Sequence, residues 1–131
     1  MAGLKSLYIS VGGFIGAGMR YGIGTLFPEI FSIAGTFIVN LLGCFLIGFV
    51  FHWLKNKGFK EELWLLLGTG LCGGFTTMST LSSELVLLLQ TGHHLIFGFY
   101  LIATWILGLV FTLVGINLAT KSSAMRGAID K

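Results

Sequence analysis

Apolar residues occupy this chain in four long runs, near Leu7–Leu26, Ile33–Leu54, Leu63–Leu89 and Leu95–Leu118, with short polar stretches between them. Each run can supply the roughly 20 residues that a helix needs to cross a bilayer. The pattern predicts an all-α membrane protein, a single four-helix transmembrane domain over residues 1–131, and leaves no room for a soluble domain. The third run is the unusual one. Between Gly68 and Glu84 it carries Gly73-Gly74 and then Thr76, Thr77, Ser79, Thr80, Ser82 and Ser83. Hydrocarbon cannot satisfy bare backbone groups, so a broken helix at membrane depth survives only when buried in protein or lining a wet cavity. The run predicts a third helix broken near its middle, with Gly73-Gly74 relaxing it. Polar side chains at that depth mark an ion or substrate path.

Composition agrees with the pattern: 55% of residues are hydrophobic, 10% are charged, and mean hydropathy is +0.93. A soluble domain has about 25% charged residues. Twenty glycines against one proline point to close helix packing rather than flexible loops. Lys5, the apolar run and Gly16-Ala17-Gly18 mimic a signal peptide with its cleavage site. The run continues past Arg20, however, and carries helix-packing glycines, which favours a span. Cys44 and Cys72 fall inside spans and belong to no Cys/His cluster, so they read as small buried residues. The pI near 9.1 reflects basic residues capping hydrophobic spans, not nucleic-acid binding. Four spans put both termini and the second loop on one side, with Lys5, Lys55, Lys57, Lys60, Lys121, Arg126 and Lys131, seven of the eight basic residues. The positive-inside rule then predicts a multi-pass protein of the cell membrane with both termini in the cytoplasm. The first loop (Phe27–Ser32) and the third (Gln90–His94) face outward, and His93 and His94 read as solvated loop residues.

Spacing within the spans adds detail. The first span has Gly12-x-x-x-Gly16 and Gly18-x-x-x-Gly22, which stack glycines on one face so that another backbone can approach. In the second, Thr36, Asn40 and Gly43 share a face. An intramembrane Asn either bonds a neighbouring helix or offers two N–H groups to an anion. In the fourth, Tyr100, Thr104, Gly108 and Thr112 recur every four residues. Each Thr alone could back-bond to its own helix; a stripe of them favours a polar track. Unwinding the third helix would free carbonyl oxygens, the ligands a hard cation such as Na⁺ prefers, as in the discontinuous helices of transporters. Glu84 is a rare intramembrane carboxylate, placed either at the outer headgroup level or at a pore mouth.

These residues together resemble the CrcB/Fluc family of fluoride channels. The likeness runs through Gly12-Gly13-x-x-Gly16-Ala17-x-x-Arg20-Tyr21, Gly35-Thr36-x-x-Val39-Asn40-x-x-Gly43 and Gly70-x-Cys72-Gly73-Gly74-x-Thr76-Thr77-x-Ser79-Thr80. The resemblance implies four-helix subunits that pair antiparallel into a double-barrelled channel, with a structural Na⁺ at the dimer centre and passive fluoride export. Carried over by residue, the carbonyls of Gly73 and Thr76 would bind Na⁺, and Asn40 would donate to fluoride. Ser79, Thr80, Tyr100 and Thr104 would line the polar track, and Arg20 would draw anions into a vestibule. Fluoride is small and strongly hydrated, so N–H and O–H donors must replace its water.

The chain departs from the family in three ways. Met78 and Leu81 stand where the family usually has two phenylalanines, whose electropositive ring edges would face the ion. Gly108 stands where related chains can carry a hydroxyl, which leaves a gap in the stripe. The charge bias of seven against one predicts one fixed orientation. An antiparallel dimer then calls for an oppositely oriented paralogue that supplies the missing aromatic groups, and otherwise for a homodimer. Two other functions compete: a non-conducting subunit that completes a partner's pore, and a small proton-coupled multidrug exporter. The exporter needs a carboxylate in the first span, where this chain has Arg20. An intramembrane enzyme is not expected, because no nucleophile–base pair or metal-ligand spacing occurs and Glu84 has no partner at helical spacing.

Overall fold

A computed structural model describes residues 2–26, 32–56 and 58–129, with side chains at 3–26, 33–56 and 58–122. The described residues form helices and no strands: α1 (Ala2–Thr25), α2 (Ser32–Asn56), α3 (Glu61–Leu63), a π-helical run (Trp64–Cys72), α4 (Gly73–Phe75), α5 (Met78–Gln90) and α6 (His94–Ile129). Among the described residues, three stretches are long and apolar enough to cross a membrane: Ile33–Asn56, Glu61–Gln90 and His94–Ser122. Seven glycines, Lys5 and Arg20 dilute the apolar character of α1, which is 24 residues long. Most of the first loop, Lys57, Lys131 and the side chain of Arg126 lie outside the described residues.

Glycine seams decide how the helices meet. A Cβ on Gly12 would stand 2.0 Å from the Leu66 carbonyl oxygen, and one on Gly16 would stand 2.1 Å from that of Leu71. From the other side, Gly74 lies against the backbone of Gly13. Gly18 and Gly22 have nothing within 4 Å among the described residues, so of the two glycine pairs only the first packs against them. The pair of α2 and α6 closes in the same way, with Gly48 against the Thr112 backbone and Gly115 against that of Phe45. Backbones can approach this closely only where no Cβ intervenes.

Helical conformation stops at Phe75 and resumes at Met78. Thr76 and Thr77 between them are extended, with φ/ψ of −76°/156° and −141°/117°. Gly73 and Gly74, where relaxation is expected, remain helical, and the break begins two residues beyond them. Gly74 serves close packing on Gly13 instead, and the backbone opens where a neighbouring helix offers replacement hydrogen bonds. The nine-residue π-helical run was not anticipated; Trp64 lays its ring over Gly68 there, and Phe51 meets Trp64 edge-on at 5.6 Å.

The chain turns from α5 into α6 through a Schellman cap. The Gly92 N–H donates to the Leu89 carbonyl (3.2 Å), the His93 N–H donates to that of Leu88 (2.8 Å), and Gly92 has φ +77°. Glycine reaches that left-handed conformation without a Cβ penalty.

Candidate functional site

The site is built around Thr77. Asn40 on α2 reaches across to this extended residue and bonds it twice. Its Oδ1 accepts from the Thr77 N–H at 2.8 Å, and its Nδ2 donates to the Thr77 carbonyl at 3.1 Å. The Thr77 hydroxyl caps α5 by accepting from the Thr80 N–H at 3.2 Å, and it lies 2.9 Å from the Thr80 hydroxyl. A helix N-terminus leaves orphan N–H groups, and a Thr at this position satisfies one of them. In an unbroken helix the N–H groups of Thr77 and Thr80 would bond the carbonyls of Gly73 and Thr76. Both N–H groups donate elsewhere, so the helical partners of these two carbonyls are withdrawn.

Glu84 is buried, with 8% of its surface exposed. The Thr36 hydroxyl donates to Oε1 and the Tyr100 hydroxyl to Oε2, each at 2.7 Å. Sequence spacing missed these partners because they come from α2 and α6 rather than from α5 itself. Thr36 and Asn40, one helical turn apart, therefore hold Glu84 and the break from one face of α2. Glu84→Leu is expected to lower the thermal midpoint, since each of the two hydroxyls loses a buried acceptor at about 1–3 kcal/mol. Tyr100→Phe in the same background removes one orphan, so the double variant should be less destabilised than the two single changes summed.

Six of the eight proposed pore residues fall around two cavities that share Thr77; Ser79 and Tyr100 line neither. The first, about 440 Å³, is lined by Arg20, Thr36, Thr77, Thr80 and Glu84. Arg20 shares that space with Glu84 but forms no ion pair with it: among the described residues the ion pair is Lys5 to Glu61, at 2.5 Å. The second cavity, about 430 Å³, includes Asn40, Thr77, Met78, Leu81, Thr104 and Thr112. Thr104 and Thr112 donate to the carbonyls of Tyr100 and Gly108 on their own helix, at 2.7 and 3.0 Å. Both residues line the cavity, while their hydroxyl protons are held by the backbone. Ser79 lines neither cavity; it is exposed and lies 3.3 Å from the Thr77 hydroxyl. Tyr100 is buried, its ring 6.0 Å from that of Phe37.

Met78 and Leu81 differ in their surroundings. Met78 is 63% exposed, whereas Leu81 is 3% exposed and packs in a core with Leu85, Leu88 and Tyr100. Gly73 and Thr76 border a third recess of about 350 Å³ together with Gly43. No group of three or more His, Cys, Asp or Glu side chains that could hold a metal occurs among the described residues.

Comparison with known proteins completes the description. Residues 7–116 match the family described as CrcB-like protein, Camphor Resistance (CrcB). A protein of Oceanobacillus iheyensis named fluoride-specific ion channel FluC is 39% identical over 115 residues, 86% of this chain and 89% of the relative. Proteins of the same name from Helicobacter pylori and Xylella fastidiosa are each 38% identical, covering 88% and 86% of this chain and 93% and 87% of their own lengths. This chain is a multi-pass membrane protein and belongs to the CrcB family.

Proposed function

We propose that the chain is a subunit of a passive fluoride-selective channel that lets cytoplasmic fluoride leave the cell and so confers fluoride resistance. One observation carries this reading: an extended two-residue break, held open by Asn40, on which two cavities meet, each with a few polar side chains set in a mostly apolar wall. The names of the relatives support the choice of ion. Replacing fluoride's hydration takes N–H and O–H donors at close range. Asn40 has one amide proton beyond the bond to Thr77, and the hydroxyls of Thr104 and Thr112 can turn from their own carbonyls toward an anion. The guanidinium of Arg20 would raise the anion concentration in the first cavity.

In this reading all four long segments cross the bilayer, α1 included, and two subunits pair antiparallel. The donor set fits a structural Na⁺. The carbonyls of Gly73 and Thr76, whose helical N–H partners are engaged elsewhere, are hard oxygen ligands beside one recess. Bound there, Na⁺ would neutralise the negative ends of these carbonyl dipoles. The basic residues favour one orientation with cytoplasmic termini, and hence an oppositely oriented paralogue as partner, a homodimer being the alternative.

A second reading rests on Leu81, which is packed away in the core, and on Met78, which has no electropositive ring edge. There the chain is a non-conducting subunit that completes a partner's pore. Reconstitution in liposomes, with fluoride efflux followed by an ion-selective electrode, separates a self-sufficient channel from a subunit that needs a partner. Efflux from the chain alone is expected of a homodimer, and efflux only with the paralogue of a heterodimer. Drug-dependent proton movement without fluoride efflux would overturn the channel reading in favour of an exporter.

A further inference from the structure

The hydroxyl stripe on α6 is interrupted at Gly108, which has no side chain to offer the second cavity. Directly opposite, α2 carries Cys44. A Cβ built on Gly108 would lie 3.3 Å from the Cys44 Sγ, its nearest neighbour, so the thiol sits over the vacancy. The same thiol lies beside the side chain of Thr112, the next rung. It also lines the cavity with Asn40, Thr76, Thr104, Gly108 and Thr112. Cys44 and Asn40 are one turn apart on α2 and both line this cavity.

Resting on the channel reading above, we infer that Cys44 supplies the rung that Gly108 lacks, so that its thiol is part of the path along which fluoride passes. The S–H is a weaker donor than a hydroxyl, but it is polarizable and has the right size for the gap. The polar path through this cavity is thus built from two helices: Thr104 and Thr112 on α6, with Asn40 and Cys44 on α2. A change on one helix should then be repairable from the other.

The test is fluoride efflux from liposomes containing the conducting assembly. Cys44→Ala is expected to slow efflux about tenfold, the rate effect of removing one hydrogen bond to a charged species. Cys44→Ser should keep efflux at or above the parent rate. Gly108→Ser in the Cys44→Ala background should restore it, because the missing sulfur leaves room for the new hydroxyl. Cys44→Val, which fills the space without a donor, should stay as slow as Cys44→Ala; parent-like efflux from it would show a packing role and overturn the inference. Parent-like efflux from Cys44→Ala, or slowed efflux that Gly108→Ser fails to restore, would overturn the inference.

Labelling with 2-sulfonatoethyl methanethiosulfonate, read by mass spectrometry in a Cys72→Ala background, gives a measure independent of flux. The thiolate displaces methanesulfinate and is left as a mixed disulfide. Labelling of Cys44 by this anionic, membrane-impermeant reagent, slowed by added fluoride, is the expected result. If the parent protein carries no fluoride under any condition, the channel reading fails. Labelling then still decides where the thiol sits: reaction puts it on an aqueous path, and full protection overturns the inference.

Discussion

Gly16→Ala is expected to yield little folded protein, with loss of the monodisperse species on size-exclusion chromatography in detergent. The added carbon would stand 2.1 Å from the Leu71 carbonyl oxygen and 2.8 Å from the Phe75 nitrogen, against an ordinary contact of 3.4–4 Å. Both neighbours are backbone, so no side-chain rotation relieves the overlap. The seam continues in both directions. Gly12 would meet Leu66 and Leu71 backbone, and Gly70 and Gly74 would meet Ile9 and Gly13 backbone. Moving α1 away to accommodate one methyl therefore opens every contact along the seam. Overpacking in a core that can adjust costs about 1–3 kcal/mol; here the atoms in the way belong to two helices, and the cost should exceed that range. Gly98→Ala on α6 is the control. Nothing lies within 4 Å of its Cβ position, and replacing a helical glycine by alanine should stabilise by about 0.5–1 kcal/mol. A Gly16→Ala protein that is monodisperse and melts like the parent would show that the two backbones are not in contact.

How much of this could be read from the chain depended on whether the cause was local. Long apolar runs identify helices because each turn satisfies its own backbone, and the ends of α2 and α6 lie at or beyond the expected span limits. The four-residue spacing of Thr36 and Asn40 was also legible, since a helix face is a property of one segment. What each face meets was not. Glu84 gains its two donors from α2 and α6, 48 and 16 residues away, and no periodicity within α5 announces them. The break shows the same limit. Glycines suggest where a helix is weak, but the backbone opened at Thr76 and Thr77, where Asn40 could replace the lost bonds. The threonines of α6 were ambiguous by nature. A hydroxyl that back-bonds to its own helix and one that faces a cavity have the same spacing, and Thr104 and Thr112 do both.

Asn40→Leu is expected to close or collapse the break and to abolish fluoride efflux. Leucine has about the right volume for the site but can neither accept from the Thr77 N–H nor donate to the Thr77 carbonyl. Two buried backbone groups are then orphaned, at about 1–3 kcal/mol each, or about 2–6 kcal/mol in all. The chain can recover part of that only by letting the Thr77 N–H return to the Gly73 carbonyl. That restores helix through Thr76 and withdraws one of the two oxygens proposed to bind Na⁺. It also rotates α5 relative to α4, so that Thr80 and Glu84 leave the cavity they share with Arg20. Asn40→Asp separates the two halves of the clamp: an aspartate oxygen still accepts from the Thr77 N–H, but nothing donates to the carbonyl. Stability should therefore fall in the order parent, Asp, Leu, as read from thermal unfolding in detergent. Amide hydrogen exchange at Thr77 should be fast in the leucine variant if the break stays open, and slow if the helix closes. Either outcome accompanies lost efflux. A leucine variant with parent stability and parent efflux would mean that Asn40 is a spectator and that the break is held by something else.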